Sequence, residues 1–264
     1  MSDILDMESL RKGACKLQIP LSEEQVEMFS IYSRELRAWN KKFNLTAVSS
    51  SEGIQTKHFL DSLSLLIPLA SLLSSEAKGT PEAYNRLFNR KLRAIDVGTG
   101  PGFPGLVLKI MWPALELSLV EATGKKVQFL QHIIRVLGIE GATAYHARAE
   151  EIGHDERHRE SYDLVVARAV AVLPVLAEYL LPLAKVNGLV LAMKGPSASE
   201  EVLESETAIR ILGGAIQKVI DVEVPLLAED RRIVVIRKIA ETPKAYPRRP
   251  GIPQKRPLGK EPPQ

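Results

Sequence analysis

One cysteine, Cys15, occurs among the 264 residues of the chain. An internal disulfide is therefore excluded, and a lone thiol is no basis for a cysteine metal cage. Histidine is nearly as scarce, with five, at positions 58, 132, 146, 154 and 158. Of these only His154 and His158 lie close together. An i, i+4 pair on a helix suits zinc, but no third ligand accompanies it, and no metal is expected. Long apolar runs are missing too: none approaches the roughly 18 residues of a membrane span. The acidic opening M-S-D-I-L-D-M-E-S-L lacks the basic region and apolar block of a secretory signal. A cytoplasmic protein without membrane contact is the expectation. Charge of one sign is not in excess, the net value being +3, so any affinity for nucleic acid has to come from local patches. The remaining composition, 45% hydrophobic and 25% charged, allows one large domain or one domain with an appendage.

The densest local signal is Leu92 to Gly105, L-R-A-I-D-V-G-T-G-P-G-F-P-G. It reads as a buried strand, Leu92 to Val97, a turn carrying Gly98, Gly100 and Gly102, and the start of a helix running to Met111. Glycines are required where the chain turns tightly and a ligand approaches the backbone, and the free N–H groups of the following helix face that ligand. The spacing is G-x-G-x-G, with Asp96 two residues before it. A second strand, Leu115 to Val120, ends in Glu121, about twenty residues beyond the glycines, where a carboxylate holds a ribose diol. Asp96 is placed to accept from an ammonium group. A ligand with both a ribose and an amino acid, such as S-adenosylmethionine, fits better than one with a pyrophosphate. The alternative is that Asp96 caps the glycine turn and Glu121 caps the next helix.

Upstream, residues 20 to 39 predict a helix with Ser22 as N-cap and Gln25 at the capping-box position. N-K-K-F-N-L-T (Asn40 to Thr46) and T-K-H-F-L-D-S-L (Thr56 to Leu63) follow, the latter leading into a Leu-rich helix to about Leu73. Residues 1–73 are thus expected to be a small helical cap. Asn40, Asn44 and Thr46 read first as turn formers; Asn40, Lys41, Asn44 and His58 are also RNA-binding candidates. Residues 74–91 predict a polar connector in which Gly-Thr-Pro breaks any helix. Its basic end interleaves Arg86, Arg90, Lys91 and Arg93 with Tyr84 and Phe88, which suits either RNA contact by phosphate pairing and stacking or a solvated helix face.

From Leu92 to about residue 240, strands and helices alternate. A helix Lys125 to Leu137 closes on Gly138. Strands are expected at Ala142 to Ala147, leading into R-A-E-E, at Tyr162 to Val166, leading into A-R-A-V, and at Gly188 to Met193. A proline-entered helix to about Ala184 precedes the last of these. A helix near Ser199 to Leu212 then leads to two strands, Ala215 to Leu226 and Arg231 to Ile239, whose short link A-E-D-R forces an antiparallel hairpin. The expected fold is α/β: a doubly wound, mostly parallel seven-stranded sheet of the Rossmann-like class I S-adenosylmethionine-dependent methyltransferase type, with an N-terminal helical cap. Residues 241–264 form a basic tail in which prolines recur, so it is expected to be extended or disordered. Its Arg248, Arg249, Lys255 and Arg256 are further RNA-binding candidates.

The methyl acceptor is narrowed by chemistry. Carbon-5 of a pyrimidine needs a cysteine nucleophile, and Cys15 lies far upstream. Exocyclic amines are usually engaged by a polar-Pro-Pro-aromatic loop after the fourth strand, where this chain has A-R-A-V. Guanine N7 has an in-plane lone pair and no proton to lose, so orientation suffices, and orientation can be worth roughly 7–11 kcal/mol. Arg168 is no base, but it can pair with the cofactor carboxylate or contact guanine O6. The N7 edge of paired A-form RNA is hard to reach, so the target is expected to be unpaired.

Taken together, W-N-K-K-F-N-L-T, H-F-L-D-S-L, D-V-G-T-G-P-G-F-P-G, E-A-T-G-K-K-V-Q-F-L, A-R-A-E-E, A-R-A-V, K-G and Y-P-R-R-P-G-I-P-Q-K-R-P-L resemble the bacterial small-subunit ribosomal RNA methyltransferase G family, also called glucose-inhibited division protein B. The resemblance runs from about Leu36 to Leu258. It implies methyl transfer from S-adenosylmethionine to N7 of one guanine in a 16S rRNA loop near the decoding centre, with the small ribosomal subunit as partner; a monomer is expected. It carries over Gly98, Phe103, Ala149, Glu150 and Arg168 as cofactor contacts, with Asp96, Gly100 and Glu121 lining the same pocket and no catalytic residue beyond positioning groups. Phe103 stands where many relatives have a smaller apolar residue, and Glu121 where Asp is frequent. Two alternatives stay open at this point: an NAD-dependent oxidoreductase, and a non-catalytic ribosome-binding factor that retains the fold.

Overall fold

The computed structural model describes residues 6–73, 80–229 and 231–259. Residues 74–79 of the expected connector, residues 260–264 of the tail and Asp230 of the hairpin link lie outside the described residues. Seven strands, β1 (Arg93–Val97), β2 (Glu116–Glu121), β3 (Ala142–His146), β4 (Tyr162–Arg168), β5 (Ala184–Lys194), β6 (Gly214–Val222) and β7 (Arg231–Lys238), form one sheet in the order β3-β2-β1-β4-β5-β7-β6. The first five are parallel, and β7 runs antiparallel between β5 and β6. The chain order reverses between β1 and β4, which opens a crevice outside the carboxyl ends of these strands, the usual ligand position in such sheets.

Strict alternation along the inner strands sends side chains to two cores. Ala94, Leu164, Val166, Leu189, Leu191, Ile233 and Val235 pack with the N-terminal helices and with Gly105–Met111 and Gly124–Val136. Ile95, Val165, Ala167, Val190, Ala192, Val234 and Ile236 face the opposite layer, built from Leu173–Leu180 and Ala198–Ile211. Burial on both faces explains why these strands read as near-continuous apolar runs.

The N-terminal helices share the first of these cores. Helix Glu23–Phe43 starts at the expected Ser22 cap, with both bonds of the capping box formed. Its Phe29 and Tyr32 meet Phe59 at ring-centroid distances of 4.9 and 5.4 Å, and Tyr32 stacks on Phe103 of the glycine loop at 5.4 Å. Each such pair contributes about 0.5–1.5 kcal/mol beyond area burial. Residues Ser51–Gly53, Ile54–Leu60 and Asp61–Leu63 form successive helical pieces, the middle one a π-helix. His58 within this wider turn and Asp61 just after it meet Arg168 at the end of β4, and Asp61 also meets Arg231 at the start of β7; such turns concentrate at functional sites.

Several expectations are corrected. The expected connector holds a helix of its own: Thr80 caps helix Pro81–Phe88 with Pro81 at its first turn, the position where a missing N–H costs nothing. Tyr84 is fully buried and stacks on Phe88, so the pair is not presented for base stacking. The helix from Leu173 stops at Leu180 rather than near Ala184, and β5 begins at Ala184; Pro182 has no N–H with which to continue the helix. Strand β6 ends at Val222, short of Pro225, which cannot donate to the ladder. The largest correction concerns the tail. Residues 241–259 are folded against the sheet domain, anchored as described below.

Candidate functional site

The glycine loop joins β1 to helix Gly105–Met111. Gly98, Gly100 and Gly102 all have positive φ, at 68°, 60° and 109°. A Cβ on Gly102 would stand 2.3 Å from the Tyr32 hydroxyl, whereas one on Gly100 would meet nothing within 4 Å. The loop is therefore wedged on its protein side and open at Gly100.

Two carboxylates brace it. Asp96, fully buried, accepts the Thr99 hydroxyl at 2.6 Å and the Gly105 N–H at 2.7 Å through Oδ2. Its Oδ1 has no hydrogen-bond partner among the described residues. Burial, opposed by those two bonds, raises its pKa to about 6. Glu121 accepts the Gly100 N–H at 3.0 Å on Oε2 and the Thr123 N–H at 2.8 Å on Oε1. Each carboxylate oxygen has two lone pairs, so Glu121 keeps accepting capacity for a diol while it holds the loop. Both capping roles foreseen as the alternative for these residues are thus present.

A cleft of about 220 Å³ opens at the carboxyl ends of β1 to β4. Of the expected cofactor residues, Gly98, Glu121, Ala149 and Glu150 line it. Asp96 lies beneath the loop and Gly100 at its crest. Phe103 and Arg168 stand outside the lining. Phe103 is buried between the rings of Tyr32 and His58, the latter at 4.5 Å, and the Arg168 guanidinium carbon sits 5.3 Å from its centroid.

Arg168 closes a network that ties three distant motifs together. Its Nη1 donates to Asp61 Oδ2 at 2.8 Å and to the Lys57 carbonyl at 2.9 Å, and its Nη2 reaches His58 Nδ1 at 3.2 Å. Arg231 Nε donates to the other Asp61 oxygen at 2.9 Å. His58 Nδ1 also lies 3.2 Å from the Lys57 carbonyl, and its Nε2 is hydrogen-bonded to Thr46 Oγ1 at 2.9 Å. Burial first, and the Arg168 charge second, lower the His58 pKa to about 3, so the ring is neutral. Asn40 pairs twice with the Thr46 backbone at 2.9 Å, and Asn44 ends the helix at φ 50°. Asn40, Asn44 and His58 therefore hold the local fold, while Lys41 is exposed.

The tail supplies the part of the site that sequence reading missed. Gly251 and Gln254 line the cleft, as does Tyr179 from the helix beneath. Arg248, expected on an RNA-facing arm, is instead bound to the fully buried Glu178: its backbone N–H and Nε reach Oε1 at 2.7 and 2.9 Å, and Nη2 reaches Oε2 at 2.6 Å. Arg159 donates to the carbonyls of Tyr246 and Thr242 at 2.8 and 2.7 Å. The Gly251 N–H donates to Glu150 Oε1 at 2.9 Å. Arg249, Lys255 and Arg256 remain exposed. The PGIP run hints at Gly251, whose φ of 82° no proline pattern would specify. Cys15 is exposed on helix Glu8–Lys16, outside the cleft lining. Among the described residues no helix is long and apolar enough to cross a membrane, and no group of three or more His, Cys, Asp or Glu side chains could hold a metal ion.

Comparison with known proteins agrees with this geometry. Residues 25–78 and 80–234 match the family model described as rRNA small subunit methyltransferase G. The chain is 47% identical to the ribosomal RNA small subunit methyltransferase G of Pelotomaculum thermopropionicum, over 95% of this chain and 98% of that one. With the protein of the same name from Roseiflexus sp. it shares 46% identity over 96% of this chain and 100% of the relative. Among solved structures, a mutant of MtNAS superimposes with a TM-score of 0.51 at 14% identity, over 88% of this chain and 82% of that one, a likeness of fold alone.

Proposed function

The chain belongs to the rRNA small subunit methyltransferase G family, and from that premise we propose that it transfers a methyl group from S-adenosylmethionine to N7 of an unpaired guanine in 16S ribosomal RNA. The observation that carries the reading is the convergence of Gly98 of the glycine loop, the Glu121 carboxylate and the Ala149–Glu150 helix start on one cleft at the switch point of the sheet. Membership of this family removes the NAD-dependent oxidoreductase alternative.

The residues present fit the cofactor. Glu121 retains lone pairs for a ribose diol, the orphaned Asp96 Oδ1 is an acceptor suited to an ammonium group, and the space over Gly100 admits a ligand against the backbone. When bound, the cofactor supplies an electrophilic methyl on a sulfonium. The chain has then only to align the acceptor nitrogen with that carbon, since N7 carries a lone pair and no proton, and such alignment can be worth roughly 7–11 kcal/mol. The cleft offers no cysteine, in keeping with an acceptor that needs no covalent activation. Arg168, its charge held by Asp61, is assigned as a positioning group next to Phe103. The active unit is proposed to be a cytoplasmic, metal-free monomer.

The test is incubation with methyl-labelled S-adenosylmethionine and small ribosomal subunits that lack the modification. Label on a single guanine, at N7 by mass mapping of the digested RNA, is the expected result. Label on protein or on pyrimidine carbon-5 overturns the assignment, and RNA binding without turnover at saturating cofactor favours the non-catalytic factor.

A further inference from the structure

The C-terminal segment has the composition of a loose arm and the contacts of a fixed wall. Its anchor is the Arg248–Glu178 pair, in which the carboxylate is wholly inaccessible and the guanidinium about one quarter exposed. A carboxylate is not left charged in such a place unless its partner is held there. The rest of the segment is pinned by main-chain bonds: the Thr242 N–H to Glu160 at 2.6 Å, the carbonyls of Thr242 and Tyr246 to Arg159, and the Pro247 carbonyl to His154 Nε2 at 2.6 Å. Pro247 also packs where a Cβ on Gly153 would come within 2.8 Å, so the helix Ala149–Ile152 is followed by a glycine that lets the segment close in. Beyond this clamp the chain turns through Gly251, and Gly251 and Gln254 enter the cleft.

There the segment meets a residue of the proposed cofactor site. Glu150 is nearly fully buried, and Gly251 fixes one of its oxygens from the tail side while the Tyr179 hydroxyl, from the helix Leu173–Leu180, is hydrogen-bonded to its carboxylate. Burial first, and the Glu150 carboxylate second, push the Tyr179 hydroxyl up to about 12, so that it stays a donor. Glu121 and Glu150 line the same cleft, so with a ribose held at Glu121, Glu150 would be the acceptor for an amino group on the edge of the base.

We infer that residues 241–259 form one wall of the cofactor cleft, and that Arg248 and Gly251 are positioning residues for adenosyl recognition because they hold this segment and Glu150 in place. The inference rests on the cofactor reading above and adds to it the elements that complete the pocket. Binding is reciprocal by linkage: a cofactor that touches the wall tightens it, and a loosened wall weakens the cofactor. Lys244 and Lys255, exposed on the same segment and not followed by proline, make this reciprocity visible to trypsin.

The experiment uses the full chain and S-adenosylhomocysteine as probe. Calorimetry compares the wild type with Arg248→Ala and with the paired replacement of Glu178→Met and Arg248→Met, which removes the buried charge along with its partner and keeps the helix packed. The expected result is an affinity loss of about tenfold or more in Arg248→Ala, with the Michaelis constant for S-adenosylmethionine raised while kcat on ribosomal subunits stays within about twofold at saturating cofactor. Tryptic cleavage in the segment is expected to slow when the probe is bound. As a second readout, Gln254→Cys in a Cys15→Ser background carries an environment-sensitive dye whose emission changes on binding, whatever the stability of the Arg248 variants. Unchanged affinity in a folded Arg248 variant, or dye and trypsin both blind to the probe, overturns the wall while leaving the cofactor reading intact. A wild type that binds no probe overturns the cofactor reading itself.

Discussion

Asp61→Ala probes the network that joins the N-terminal helices to the sheet. The carboxylate is 4% exposed and receives one guanidinium on each oxygen, Arg168 at 2.8 Å and Arg231 at 2.9 Å, from residues 107 and 170 positions away. Truncation leaves two cations, 15% and 18% exposed, without the anion they share. Removing one member of a buried pair costs about 3–5 kcal/mol. Arg168 keeps the Lys57 carbonyl and Arg231 keeps the exposed Glu229, so the lower end, about 3 kcal/mol, is expected. For a chain of this size about 1 kcal/mol shifts the melting temperature by roughly 2–4 °C, which makes the fall about 6–12 °C. Asp61→Asn, which keeps one acceptor, is expected to lose about half as much. Urea unfolding followed by the fluorescence of Trp39 and Trp112 measures both, and a double-mutant cycle with Arg231→Ala isolates the pair. A loss below about 1 kcal/mol, the value of a solvated surface pair, would show that Asp61 is not a staple and refute the reasoning.

Two buried groups oppose one another in acid. His58 stays neutral in the native state down to about 3, so between there and its unfolded value of 6.5 the unfolded chain holds the extra proton and stability rises with pH. Asp96 is raised from 3.8 to about 6, so in that window the native chain holds the extra proton and stability falls as pH rises. Asp96→Asn is therefore expected to tilt the stability curve upward with pH by about 1 kcal/mol per unit relative to wild type, and His58→Asn to tilt it downward by a similar amount; parallel curves from urea titrations across this range would contradict both. Gly102→Ala drives a Cβ against the Tyr32 hydroxyl at a φ of 109° and is expected to destabilise by roughly 2–4 kcal/mol in thermal melts. Gly100→Ala meets no neighbour and is expected to cost only about 1–2 kcal/mol of backbone strain, while calorimetry with S-adenosylhomocysteine records a loss of about tenfold or more. Equal effects of the two substitutions on binding would argue against an open crest at Gly100. Ser22→Ala removes the cap that receives the Gln25 N–H and is expected to lower stability by about 1 kcal/mol.

Local chemistry was legible where a residue type has one physical use. Ser22 with Gln25 marks a helix start because side-chain oxygens satisfy orphan N–H groups, and that cap is present. The short link before Arg231 admits only an antiparallel pairing, and β6 and β7 pair so. The three glycines mark a loop of positive φ, as observed. Errors arose where one residue type serves two ends. Pro81 lies in a Gly-Thr-Pro that interrupts a helix, and it also begins one; Tyr84 stands among cations in the sequence, which suits RNA contact or a solvated face, and lies in the core.

The tail is the instructive case, because every property that made it look loose is compatible with its being held from outside. Prolines and glycines keep regular structure in the tail down to the one short helix Ile252–Lys255, which Pro253 enters at its first turn, and they leave main-chain carbonyls available, of which Arg159 and His154 on the sheet domain take up those of Thr242, Tyr246 and Pro247. The cations that suggested RNA divide in two: Arg248 turns inward because Glu178, fully buried on the helix Leu173–Leu180, requires a counter-charge, whereas Arg249, Lys255 and Arg256 have no such demand and stay exposed. In the sequence, Glu178 is one acid in an otherwise apolar helix, A-E-Y-L-L, and nothing near it in the chain names its partner 70 positions on. A buried acid of that kind is the signal to use: it requires a cation from elsewhere in the chain, and here the cation arrives on the segment that completes the cofactor cleft.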